Sequence, residues 1–94
     1  MYEFTWDDNK CASNIRKHKI SFEEARDVFY DPYAMYMTDD DHSDEEERLL
    51  VLGLSNKLRV LMVCYCYRDS NSIIRIISAR KATKREQNIY GGKL

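Results

Sequence analysis

Proline and glycine are scarce. The 94 residues include one proline and three glycines, so the chain has little linker or low-complexity sequence and most of it is available for regular structure. Long apolar runs are missing too. The longest, Val60 to Tyr67, has the length of a strand and falls well short of the roughly 20 residues a membrane helix needs. The first residues are polar and acidic and do not read as a signal peptide, so the expected compartment is the cytosol. Cysteine is limited to three residues. Cys64 and Cys66 are spaced for neither zinc nor a redox pair, and Cys11 lies far away, so free thiols are expected rather than a disulfide framework. A phosphate-cradling glycine loop and a Ser/His/Asp signature are both absent. No cofactor or metal is expected.

The composition is that of one small globular domain spanning residues 1–94, with 44% hydrophobic residues. A net charge of -1 hides a segregation. Asp39, Asp40, Asp41, Asp44, Glu45, Glu46 and Glu47 are seven of the 16 acids, and without them 15 bases face nine acids. Such asymmetry favours an anionic partner for one face and a basic partner for another. The acidic segment lacks the glycine and spacing of a calcium loop and reads as a solvated loop.

Tyr2, Phe4 and Trp6 alternate with polar residues, which predicts a short strand. A helix follows from Asp7-Asp8-Asn9 through Cys11, Ala12, Ile15 and His18, placed on or near one face, and Lys19-Ile20 breaks it. Ser21-Phe22-Glu23-Glu24 is a capping box that opens a second helix with an apolar stripe of Phe22, Ala25, Val28 and Phe29. Asp31-Pro32 ends that helix. Strands are predicted over Tyr33–Thr38, Arg48–Leu54, Arg59–Arg68 and Ser72–Ala79. The middle two are apolar at nearly every position, which implies a sheet covered on both sides. Thr83-Lys84-Arg85-Glu86 is a second capping box, opening a short helix that runs to Tyr90 and stops at Gly91-Gly92. The expected fold is α+β: two N-terminal helices and a C-terminal helix packed on a mostly antiparallel sheet.

Residues 75–86 concentrate Arg75, Arg80, Lys81, Lys84 and Arg85 around a single carboxylate, Glu86. A strand that brings Arg80 to the start of a helix joins a permanent cation to a helix N-terminus, and both attract phosphate. The tract therefore points to a nucleic-acid or phosphate site.

Several motifs together resemble the BrnT family of toxins. They are Phe4-x-Trp6-Asp7 with Lys10 and Asn14, Lys17-His18, Ser21-Phe22-Glu23-Glu24-Ala25 with Val28-Phe29 and Asp31-Pro32, His42, Glu47-Arg48, and Gly53-Leu54-Ser55. The most specific is the closing Arg75-Ile76-Ile77-Ser78-Ala79-Arg80-Lys81-Ala82 with Glu86 and Tyr90. One departure is local: Asn56-Lys57-Leu58-Arg59 lacks a glycine expected in that turn. The resemblance implies a RelE-like ribonuclease fold and the toxin of a type II toxin–antitoxin system. Such a toxin cleaves RNA without a metal and stops translation. Its partner is a small DNA-binding antitoxin similar to BrnA, and the complex reaches operator DNA only through that partner.

Metal-free RNA cleavage needs a base for the 2′-hydroxyl, cations for the phosphorane and an acid for the leaving 5′-oxygen. His18 and His42 are the two histidines. Arg80 is the leading transition-state cation, because a guanidinium can hold two phosphate oxygens, with Lys17 and Arg48 as further catalytic candidates. Lys81, Lys84, Arg85, Arg75 and Arg68 are candidates for RNA binding. Each has a structural alternative: His18 as a helix C-terminal cap, His42 as a solvated loop residue, Arg48 as an ion-pair partner, Glu86 as the capping partner of Thr83, and Tyr90 as a packing residue. Arg75 and Arg80 lie five apart and face opposite sides of a regular strand unless a bulge intervenes. The alternative to an enzyme is a non-enzymatic RNA- or protein-binding module on the same fold.

Overall fold

A computed structural model of the chain describes residues 2–39 and 47–91. The elements are β1 (Phe4–Thr5), α1 (Asp8–His18), α2 (Phe22–Asp27) continued by one 3-10 turn (Val28–Tyr30), β2 (Met35–Thr38), β3 (Leu49–Leu54), β4 (Val60–Arg68), β5 (Ile73–Lys81) and α3 (Lys84–Gly91). The five strands lie in the order β1-β5-β4-β3-β2. The β1–β5 pairing is parallel, and β2, β3, β4 and β5 form an antiparallel meander. Because β1 and β2 occupy opposite edges, the intervening helices cross one whole face of the sheet.

That crossing builds the larger core. Cys11, Ile20, Phe22, Ala25, Val28 and Phe29 pack on Val51, Leu61, Val63, Tyr65, Ile74, Ile76 and Ala79. The opposite face carries a smaller core, in which Leu52 and Met62 meet Ala82 and Tyr90 of the α3 segment. The near-continuous apolar sequence of β3 and β4 thus corresponds to burial on both faces. Each fully buried large side chain, such as Phe22 or Leu52, contributes roughly 1.5–3 kcal/mol by leaving water.

Local chemistry sets the boundaries. Asp7 caps α1 through Oδ1, which accepts from the N–H groups of Asn9 (2.8 Å) and Lys10 (3.1 Å). Lys19 ends the helix in the left-handed region at φ 61°. The buried face of α1 is narrower than its apolar residues suggest. Cys11 and Asn14 are buried, whereas Ala12 and Ile15 are exposed. The reason is that Asn14 finds backbone partners in the interior, a gain that apolar periodicity does not register. Ser21 caps α2 through its hydroxyl, which accepts from the Glu24 N–H. Glu24 does not turn back as in a reciprocal box: its carboxylate accepts from Ser55 Oγ (2.7 Å) and Arg59 Nε (2.9 Å). Burial alone would raise this carboxyl, but the bonds from Arg59 and Ser55 hold it below the ordinary value.

Three strand boundaries differ from expectation. The first strand shrinks to Phe4–Thr5. β2 begins at Met35, because Asp31 Oδ1 accepts from Tyr33 N–H and the Asp31 carbonyl from Ala34 N–H, holding Pro32-Tyr33 in a turn. β5 runs on to Lys81, since β4 offers partners as far as Leu61. Gly53 permits a close approach: a Cβ there would stand 2.7 Å from Val28 Cγ1. Tyr90 anchors α3 with a 2.5 Å hydrogen bond from its hydroxyl to Asp31 Oδ2, which also accepts from the Leu54 N–H. Among the described residues no helix is long and apolar enough to cross a membrane.

Candidate active site

The register of β4 and β5 decides which side chains share a face. Met62 pairs with Arg80, Cys64 with Ser78, and Cys66 with Arg75. Between Cys64 and Tyr65 the register shifts, so that Ile77 is the extra residue on β5. β4 remains regular, and its side chains at 62, 64 and 66 point one way. Arg75, Ser78 and Arg80 therefore lie on one face, the face that carries α3. The bulge brings together two arginines that strict alternation would separate.

Asn14 connects α1 to this strand. β1 pairs with β5 only at Ile74 and Arg75, which leaves the edge of β5 bare at Ala79. The Asn14 side chain fills that gap: Nδ2 donates to the Ala79 carbonyl (2.8 Å) and to the Ile20 carbonyl (2.9 Å), and Oδ1 accepts from the Ala79 N–H (3.1 Å). The amide thus mimics a strand residue and fixes the C-terminal turn of α1 beside Arg80. One helical turn beyond Asn14 stands His18.

His18 lines a cleft of about 420 Å³ with Arg48, Asp39, Leu50, Met62, Cys64, Ile77, Ser78, Ala79 and Arg80. α1, the start of β3 and β5 each supply one cationic or basic group, from positions far apart in sequence. The floor is apolar and the rim charged. Burial, the charge of Asp39 and the neighbouring Cys66 push the Cys64 thiol up to about 11, against a smaller downward pull from Arg48, so Cys64 is a neutral wall at physiological pH. His18 does not need to cap its helix. Lys19 does so, its N–H bonding to the Ile15 carbonyl and its Nζ to the Arg16 carbonyl.

Arg80 has an internal anion. Its Nη1 and Nη2 donate to the two carboxylate oxygens of Glu86 at 2.8 and 3.0 Å. Glu86 also completes the second capping box, accepting from Thr83 N–H (2.8 Å) while Thr83 Oγ1 accepts from Glu86 N–H (3.1 Å). The helix N-terminus and the arginine, read from sequence as a joint phosphate site, are thus bridged by the protein's own carboxylate. The Arg80 guanidinium beside it brings the Glu86 carboxyl down to about 2, against burial, with further help from Thr83. Arg80 also sits inside β5, not at its end, with 41% of its side chain exposed toward the cleft. Its unused N–H groups remain available to a phosphate, because a guanidinium has five donors.

The other candidates are dispersed. Lys17 is exposed and does not line the cleft. Lys81 pairs with Leu61 on the opposite face, and Lys84 and Arg85 are exposed on the first turn of α3. Arg68 and Arg75 share the α3-bearing face at its far end. His42 lies outside the described residues. Apolar and charge patterning also left Asp39, Cys64 and Ser78 out of the site; the two-residue spacing of Met62, Cys64 and Cys66 is the signal that one face of β4 is shared. Among the described residues no group of three or more His, Cys, Asp or Glu is placed to hold a metal ion.

Comparison with known proteins adds an independent line. No curated protein matches the chain. The crystal structure of the ribonuclease toxin BrnT from Brucella abortus superimposes with a TM-score of 0.67 at 22% identity, covering 89% of this chain and 100% of that one. At that identity the likeness speaks for the fold. The family model of the ribonuclease toxin BrnT, of type II toxin–antitoxin systems, matches residues 6–86. That span takes in His18, Arg48, the bulged strand and the Arg80–Glu86 pair, and the chain belongs to this family of BrnT ribonuclease toxins.

Proposed function

We propose that the protein is a metal-independent endoribonuclease with a RelE-like fold, that it stops translation by cleaving RNA, and that a DNA-binding, BrnA-like antitoxin neutralises it in the cytoplasm. The observation that carries the reading is the convergence of His18, Arg48 and Arg80 in one cleft, a base and two permanent cations in the combination that 2′-hydroxyl attack requires. His18 takes the 2′-hydroxyl proton as the oxygen attacks phosphorus. Arg80 and Arg48 hold the non-bridging oxygens, whose charge grows as the phosphorane forms. The P–O5′ bond breaks on the far side, at the open mouth of the cleft, where solvent protonates the leaving oxygen. Glu86 fixes the plane of the Arg80 guanidinium, so little reorganisation is left for the moment of reaction. Lys17, Lys81, Lys84 and Arg85, on exposed surface outside the cleft, attract the RNA backbone without reading bases. Operator DNA is reached through the antitoxin.

The test is incubation of antitoxin-free protein with RNA in excess chelator, followed by mapping of the ends. Cleavage leaving a 2′,3′-cyclic phosphate and a 5′-hydroxyl is the expected result. Abolition by EDTA with rescue by magnesium would sink the mechanism, and binding without cleavage would leave a non-enzymatic module.

A further inference from the structure

Among the described residues Arg59 is neutralised by Glu24 and Arg80 by Glu86. Arg75 is different. Its side chain is half-buried, and among the described residues it makes no hydrogen bond or ion pair. With no internal counter-charge, its five guanidinium donors are left for an external anion. The bulge at Ile77 places this cation on the same face as the cleft. Arg68 stands beside it on β4, with Nη1 donating to Cys66 Sγ at 3.2 Å, and Cys66 is the cross-strand partner of Arg75. α3 packs over Leu52 and Met62, at the other end of this face.

We propose that Arg75 and Arg68 form a second phosphate subsite, which holds the RNA strand one or more nucleotides away from the bond cleaved at Arg80. Four residue steps along β4 separate the partners of Arg75 and Arg80, Cys66 and Met62, a span of about 13 Å at strand rise. That is longer than one nucleotide step, so the two sites address different phosphates of one strand. The substrate is then single-stranded RNA that continues past the cleft along β5 in one direction. The inference rests on the cleft being the cleavage site, and the experiment separates the two.

Binding is measured with 2′-O-methyl RNA, which lacks the attacking hydroxyl, as a dinucleotide and as longer strands extended on either side. Wild-type protein is expected to favour extension on one side only. In the R68A/R75A double variant that advantage should fall about tenfold, and the slope of log affinity against log salt should drop by roughly 0.7 per lost contact. R26A, a charge loss on α2 and so on the opposite face of the sheet, should leave binding of the longer strands unchanged. A double variant that binds the longer strand as tightly as wild type at every salt concentration overturns the subsite. So does one that loses dinucleotide affinity equally, since its arginines would then act at the cleft. If wild-type protein fails to cleave RNA yet shows one-sided, Arg75-dependent binding, the subsite stands and the ribonuclease reading falls.

Discussion

Arg80 shows how one side chain serves both fold and site. It pairs with Glu86 through two hydrogen bonds, yet its side chain borders the cleft. In the proposed mechanism Arg80→Ala removes the cation that stabilises the transition state, so single-turnover cleavage should fall by about 10²–10³. Stability should fall by only about 1 kcal/mol, since the pair is partly solvated and Thr83 still caps α3. Loss of the far-ultraviolet circular dichroism signal would show instead that Arg80 is needed for folding. Glu86 has a folded-state value depressed from 4.5 to about 2. Its contribution is therefore complete above pH 4.5 and is lost as pH falls toward 2. Denaturant titrations over that window should show a shallower acid loss for Glu86→Gln than for wild type; identical profiles would mean the pair carries no linkage. Leu58 offers a converse case. It adopts φ 63° in the turn after β3, and it is 79% exposed. A side chain there is strained by roughly 1 kcal/mol, which glycine relieves less its own entropy cost. Leu58→Gly should raise the melting temperature slightly, and a fall would show that the leucine makes a contact worth more than the strain. The glycine missing from the sequence of this turn is thus compensated by a tolerated left-handed leucine.

At the scale of elements, the joint between α1 and β5 matters most. Asn14 satisfies both backbone groups of Ala79 and the Ile20 carbonyl, and removal would leave buried donors and acceptors unpaired. Asn14→Ala should cost about 2–3 kcal/mol in chemical denaturation. It should also lower cleavage under conditions where the variant is still folded, because His18 loses its fixed position beside Arg80. A destabilised variant with the wild-type rate would separate the two roles. The boundaries of α1 were legible in the sequence because Asp7 is a good cap and Lys19-Ile20 interrupts the pattern. Its buried face was not, because a polar residue forms the key contact. The capping box of α2 was half legible: Ser21 caps as read, while Glu24 is drawn away by Ser55 and Arg59, residues more than thirty positions distant.

For the whole molecule, the two faces of the sheet divide the work. Helices α1 and α2 seal one face, while the other carries α3, the cleft and the arginines. We expect an inhibitory antitoxin to cover this second face and its basic rim, with partly electrostatic binding. In alanine variants at Lys81, Lys84 and Arg85, antitoxin affinity and RNA cleavage should decline together, and the affinity of the parent should fall as salt rises. Variants that bind the antitoxin as tightly as the parent at every salt concentration would place the inhibitor elsewhere, with the acidic sequence Asp39 to Glu47 the next to test.

The sequence by itself determined the element order, the caps at Asp7, Ser21 and Thr83, and the two-sided burial of β3 and β4. These depend on neighbours in the chain: a capping oxygen two or three residues away, or an apolar run with no polar alternation. The tertiary structure alone decided that β1 returns to the far edge beside β5, and that Ile77 bulges and turns Arg75 and Arg80 to one face. It alone decided that Asn14 substitutes for a missing strand, and that Glu86 occupies the anion site which Arg80 and the start of α3 create. Those are matters of register and of contacts between distant segments. A one-residue change in pairing moves a side chain through the sheet, and local propensity carries no record of it.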